Sequence, residues 1–163
     1  MLEKIHDKIQ PLSLAVEIVQ QWRTEGLDVI WTNGVFDLLH PGHIKYLCAA
    51  RDLGDKLIVG INSDESVRRL KGDDRPINNE SSRLLQMGAL QMVDLVILFA
   101  EDTPIECILA LRPKIIAKGG DYDPDQVVGG VEAREWSGKV EILPFEAGHS
   151  SSHIIEKIQG KQP

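Results

Sequence analysis

Two histidines three residues apart, His40 and His43, stand in the segment WTNGVFDLLHPGH, between an apolar stretch and an amphipathic one. Val29, Ile30 and Trp31 read as the end of a buried strand, and Gly42 to Leu53 as a helix with Ile44, Leu47, Cys48 and Arg51 at helical spacing. A strand that turns into a helix presents the helix's first N–H groups, at the positive end of its dipole, to an arriving anion. His40 falls just before that helix and His43 in its first turn, so both imidazoles can converge on one anion as hydrogen-bond donors. Gly34 either lets backbone approach a ligand or serves a tight turn; in the first case Asn33 and the N–H groups of Val35 and Phe36 face phosphate. The chemistry this points to is attack on a phosphoanhydride. Zinc ligation is the competing use of the pair, but a third ligand and the usual metal spacing are missing.

Other residues extend the pattern. Asp37 is open to three roles: a structural hydrogen bond, a substrate contact or a Mg²⁺ contact. In GHSSSHIIEKI, Ser150, Ser151 and Ser152 precede an amphipathic stretch. One hydroxyl suffices as an N-cap, and the others with free helix N–H groups make a second phosphate cradle. Lys45, Lys71, Arg75, Arg83 and Lys118 would ordinarily form a solvated face, but those beside loops of an acidic chain are candidates for phosphate. Lys118 leads KGGDY, where Gly119 and Gly120 open the backbone and Asp121 offers an acceptor to a hydroxyl or ribose. Lys71 and Arg75 lie in the polar segment KGDDRPIN, a loop able to close over a substrate.

The elements that position these residues alternate. A helix over Pro11–Thr24 is expected, with Leu14, Ile18 and Trp22 on one stripe and Gly26 past its end. Residues 1–26 then form a helical extension and 27–163 a single domain. Strands are expected over Leu27–Thr32, Lys56–Asn62, Leu95–Phe99, Lys114–Lys118 and Val140–Leu143. Between them fall helices over Gly42–Leu53, Ser63–Leu70 and Ser81–Leu90, and one opening at Thr103 as cap with Pro104 in its first turn and Glu106 as capping-box partner. A last helix runs from Ser151 to Gln159. This order predicts an α/β fold, a Rossmann-like doubly wound parallel sheet of five strands with helices on both faces. Ligands of such sheets bind beyond the strands' carboxyl ends, where the strand order reverses.

Length and composition set bounds. A chain of 163 residues with 42% apolar content is sized for one domain with a real core. The net charge of −7 argues against nucleic-acid or anionic-membrane partners, so a phosphate site must be a local pocket. Cys48 and Cys107 lie on apolar stretches and read as reduced core residues. The absence of a signal-like N-terminus and of a long apolar run predicts a cytoplasmic protein.

The blocks GVFDLLHPGHIKYL, GDKLIVGINSD, RPIN, KGGDY and LPF with a serine-rich helix start, in this order, resemble the HxGH nucleotidyltransferase superfamily. Within it the chain is most similar to bacterial D-glycero-β-D-manno-heptose 1-phosphate adenylyltransferases, from about Asp28 to Ile158. The resemblance implies transfer of AMP from ATP to the anomeric phosphate of the heptose, with Mg²⁺ required, for the lipopolysaccharide inner core. It also implies that His40 and His43 stabilise the α- and β-phosphates with Lys45 assisting, that Ser150 to Ser152 hold the leaving pyrophosphate, and that the protein is a homodimer. Phe145 stands where glycerol-3-phosphate cytidylyltransferases usually carry arginine, which leans away from them, and SSS replaces a serine followed by threonines. Relatives can be fused to a sugar kinase; 163 residues leave no room for one, so a separate kinase is expected to supply the heptose 1-phosphate. The alternatives are a small-alcohol-phosphate cytidylyltransferase and a catalytically silent nucleotide-binding module.

Overall fold

Strands that are apolar on both faces require cover on both sides, and the chain provides it. The computed structural model describes residues 1–144 and 151–158. In chain order the elements are α1 (Leu2–His6), α2 (Leu12–Thr24), β1 (Val29–Gly34), α3 (Pro41–Arg51), β2 (Lys56–Asn62), α4 (Asp64–Lys71) and α5 (Glu80–Gly88). There follow β3 (Leu95–Phe99), α6 (Ile105–Leu111), β4 (Ile115–Gly119), α7 (Gly130–Ala133), β5 (Lys139–Leu143) and α8 (Ser151–Ile158). The five strands are parallel in the order β3-β2-β1-β4-β5. This is the expected Rossmann-like α/β sheet, and its order reverses between β1 and β4, the position at which such sheets bind ligands.

Strand alternation sorts the core. Val29 and Trp31 of β1, Ile58 of β2 and Ile97 of β3 pack under α2 and α6, joined by Ala15, Val19, Ile108 and Leu111. Ile30, Leu57, Val59 and Val96 point to the opposite face, against Leu47 and Ala50 of α3 and Met87 of α5. Gly60 makes room for the indole beside it: a Cβ there would lie 2.5 Å from Trp31 Cη2.

Several local expectations are corrected. β1 starts later and runs two residues further than expected, pairing Asn33 with Gly60 and Gly34 with Ile61, so the turn begins at Val35. On α2 the buried residues are Ala15 and Val19, while Leu14 is 45% exposed. Small Ala15 lets the helix approach the sheet, and the helix is rotated accordingly. Cys107 is buried but Cys48 is exposed, because α3 spends its inward positions on Leu47 and Ala50. Thr103 does not cap α6: Pro104 occupies the cap position, and no side-chain cap bond forms. The short α1, which buries no residue, has no apolar stripe to mark it in the sequence. After it, Val96 N donates to Lys8 O at 2.7 Å and Gln10 N to Val96 O at 3.0 Å, laying the chain along the β3 edge. Lys8 Nζ adds bonds to the carbonyls of Leu90 and Val93. Among the described residues no helix is long and apolar enough to cross a membrane.

Candidate active site

β1 ends at Gly34 and α3 starts at Pro41, with His40 as its N-cap residue in extended conformation. Proline suits a first helical position because its missing N–H would have had no helical partner. The turn between is a column of rings. A Cβ on Gly34 would sit 2.9 Å from Phe36 Cε2, so glycine is needed to admit the phenyl ring. Phe36 edges His43 at 5.2 Å between centroids, and His43 stacks on His40 at 3.7 Å and 23°. Phe36 takes φ 47°, a region non-glycine residues rarely enter and one that tends to mark functional turns. Burial, and then the neighbouring charge of His40, lowers the His43 pKa to about 4; the Leu38 backbone opposes this and Lys71 adds to it. At neutral pH His43 is therefore an uncharged hydrogen-bonding ring.

This turn forms one wall of a cavity of about 220 Å³ at the β1/β4 reversal. Lys71 and Arg75 form a second wall, and Lys118, Gly119 and Tyr122 a third, with Ser151 at the rim. Burial lowers the Lys118 pKa, and its ammonium sits 5.8 Å from the Tyr122 ring centre. Lys71 is likewise lowered, by burial and then by the charge of Arg75. Tyr46, one helical turn beyond His43, shares a 2.7 Å hydrogen bond with Thr32 Oγ1 and donates to Ala117 O at 3.0 Å, tying β1 to β4. Its burial pushes the phenol pKa up to about 12.

Asp37 joins the first two walls. It is 1% exposed, and its carboxylate accepts hydrogen bonds from Arg75 Nε, Ile77 N and Asn78 N, each at 2.7 Å. Asn78 Nδ2 donates to the Asp37 carbonyl at 2.6 Å. Burial alone would raise the carboxyl pKa, but the Ile77 and Asn78 amides and the Arg75 guanidinium outweigh it and hold the group below its usual range. Of the three roles open to Asp37, the geometry supplies the structural one.

The sequence model of the cytidylyltransferase-like family matches residues 31–157. The chain belongs to that family. It is 51% identical over 152 residues to the bifunctional protein HldE of Methylobacillus flagellatus, covering 93% of this chain and 31% of that protein. It is 53% identical over 151 residues to the HldE of Trichlorobacter lovleyi, with the same shares. The chain thus spans about a third of the length of these curated relatives. Among solved structures, the lipopolysaccharide core biosynthesis protein from Thermoplasma volcanium matches with a TM-score of 0.62 and 32% identity, over 74% of this chain and 98% of that one. Pantoate-beta-alanine ligase from Francisella tularensis shares the fold, with a TM-score of 0.59 at 14% identity, over 88% and 68% of the two chains.

In this cytidylyltransferase-like chain, Asn33, Gly34, Val35, Phe36, Asp37, His43, Lys71, Arg75, Lys118, Gly119 and Ser151 all come together at the cavity. His40 is buried behind His43. Lys45 is exposed on α3 and Asp121 is exposed after β4, both outside the cavity lining. Ser151 Oγ donates to Leu38 O at 3.2 Å, fastening the start of α8 to the histidine turn. Phe145 and Ser150 lie outside the described residues, as does the Ser152 side chain. Gly42, Tyr46 and Tyr122 line the cavity without having been singled out. For Tyr46 the signal was available, since a residue three beyond His43 shares its helix face. Arg83 does not face the cavity at all; it is fully buried. Among the described residues no three metal-ligating side chains cluster, and the Asp37 oxygens already carry three donors, so the cavity offers no carboxylate cage for a divalent ion.

Proposed function

We propose that the chain is an adenylyltransferase that moves AMP from ATP to D-glycero-β-D-manno-heptose 1-phosphate. The observation that carries this reading is the cavity at the strand-order reversal, which brings His43, stacked on His40, together with Lys118, Lys71 and Arg75. Anionic groups at both ends of a reaction need such a convergence of donors. The sequence blocks shared with heptose adenylyltransferases and the kinship to a lipopolysaccharide core biosynthesis protein support the choice of acceptor.

The reaction forms one bond and breaks one. An oxygen of the sugar phosphate attacks the α-phosphorus in line, the bond from that phosphorus to the bridging oxygen breaks, and pyrophosphate leaves with the electron pair. The nucleophile is already anionic, so no general base is required, and catalysis rests on positioning and charge stabilisation. His43, backed by His40, donates to phosphate oxygens as charge shifts toward the leaving group. Lys118 and the α3 N-terminus hold the triphosphate, Asn33 to Phe36 and Gly119 supply the backbone approach, and Lys71 and Arg75 hold the acceptor phosphate. Lys45 assists the histidines, Asp121 contacts the nucleotide, and Ser150, Ser151 and Ser152 hold the leaving pyrophosphate. Mg²⁺, needing few protein ligands of its own, would enter with ATP and supply charge neutralisation beside Lys118 and His43. The same reading makes the protein a cytoplasmic homodimer, with residues 1–26 an extension of the transferase domain.

Pyrophosphate release with Mg²⁺, using ATP or CTP against heptose 1-phosphate or glycerol 3-phosphate, tests the reading. Release with ATP and the heptose is expected. Release confined to CTP and glycerol 3-phosphate would keep the histidine roles and overturn the substrates; no release with any pair would favour a silent binding module.

A further inference from the structure

Arg83, on α5, has 0% of its surface exposed, and its guanidinium reaches three different segments. Nη1 donates to Val35 O at 2.9 Å, in the turn after β1; Nε donates to Asn78 O at 3.0 Å, in the polar loop; Nη2 donates to Asp64 Oδ1 at 2.7 Å, in the first turn of α4. Asp64 N in turn donates to Glu80 Oε2 at 2.8 Å, fixing the start of α4 to the start of α5. A buried guanidinium is costly to desolvate, and an apolar side chain of the same length would fill the space. What an apolar side chain cannot do is hold three acceptors at fixed mutual distances with one rigid planar fork.

Those acceptors frame one side of the cavity. α4 ends at Lys71, the loop carries Arg75, and Asn78 also bonds Asp37. Arg83 meets the histidine turn only at the Val35 carbonyl; His43 on α3, Lys118 on β4 and Ser151 on α8 stand on elements it does not bond. We propose that Arg83 is a positioning residue for the acceptor phosphate, fixing Lys71 and Arg75 at their working distance from the Val35 turn without touching substrate. The proposal rests on the acceptor assignment made above.

The test compares Arg83→Met and Arg83→Lys with the wild type in steady-state assays that vary each substrate separately. A misplacement of about 1 Å at a reacting site can cost about 10²-fold. The Met variant should therefore lose on the order of 10- to 100-fold in kcat/KM for the sugar phosphate while its KM for ATP stays near the wild-type value. The Lys variant keeps the charge and can satisfy only part of the fork, so it should recover part of the loss. A folded Met variant with unchanged acceptor kinetics, or with equal losses for both substrates, would overturn the proposal. If the Met variant does not fold, Asp64→Ala removes one leg of the fork at a partly exposed position; an unchanged acceptor KM there would also overturn it. A wild type that releases no pyrophosphate with heptose 1-phosphate defeats the acceptor assignment instead. In that event amide hydrogen exchange at Ile77 and Asn78 reads the positioning directly: faster exchange in the Met variant is expected, and unchanged exchange sinks the idea.

Discussion

The turn after β1 and the polar loop after α4 meet at the rim of one cavity, yet packing holds the first and charge holds the second. In the turn, Gly34 admits Phe36, Phe36 edges His43, and His43 stacks on His40, with His43 kept neutral by burial. The loop is held by Asp37, which reaches from the turn to gather Arg75 and two backbone amides, while Arg83 pairs with Asp64 behind it. A packed wall of neutral donors can take up negative charge when a phosphate arrives. A wall braced by its own ion pairs keeps its geometry whether or not substrate is present. The cavity therefore combines a responsive side and a fixed side.

This contrast can be broken at several points. The largest effect is expected from His43→Ala, which in the proposed reaction removes a transition-state donor and should lower the rate of pyrophosphate release on the order of 10²–10³-fold; a rate near wild type would remove the ring column from the chemistry. Asp37→Ala should lower unfolding free energy by about 3–5 kcal/mol, since it leaves Arg75 without its buried partner. Urea denaturation reads this, and an unshifted midpoint would show that the loop is held elsewhere.

Acid separates the walls by pH window: both lose stability as pH falls, His43 first. For His43 the unfolded ring takes a proton near 6.5 and the folded ring resists until about 4, so stability should fall as pH drops through that window. For Asp37 the folded pKa lies below its ordinary 3.8, so its contribution is intact above that value and is lost only below it. Thermal melts across this range should show the first loss in the wild type and a flatter profile in His43→Gln; superimposable profiles would argue that His43 is not the group responsible. A smaller change, about 1 kcal/mol, is expected for Tyr46→Phe, which cuts the hydroxyl bridge between β1 and β4. The smallest is Cys48→Ser, expected within about 0.5 kcal/mol of wild type because the side chain is exposed.

The sheet was legible because its strands are nearly continuous apolar runs broken by polar turns, and β3 falls on Leu95–Phe99 as expected. The histidine turn was legible because glycine, proline and two histidines punctuate a change of period from strand to helix. What could not be read was the set of partners chosen across long sequence distances. Asp37 meets Arg75 38 residues away, and Arg83 meets Val35 48 residues away. Composition sees Arg75 and Arg83 as two cations near a loop, whereas burial makes one a cavity wall and the other an internal brace. Gly34 shows the same limit at short range. Ligand approach and a tight turn were both open to it; the residue lines the cavity, and the place of its missing Cβ is taken by the Phe36 ring.

The strand-like passage of Lys8 to Gln10 beside Val96 has a consequence for how molecules of this protein meet. β3 lies at the margin of the sheet, and an unpaired margin is a template on which a second chain can add a strand. Here both the amide and the carbonyl of Val96 are taken by the protein's own N-terminal segment. The protein's own residues Lys8 to Gln10, ahead of β1, thus cover that margin at Val96 against sheet extension.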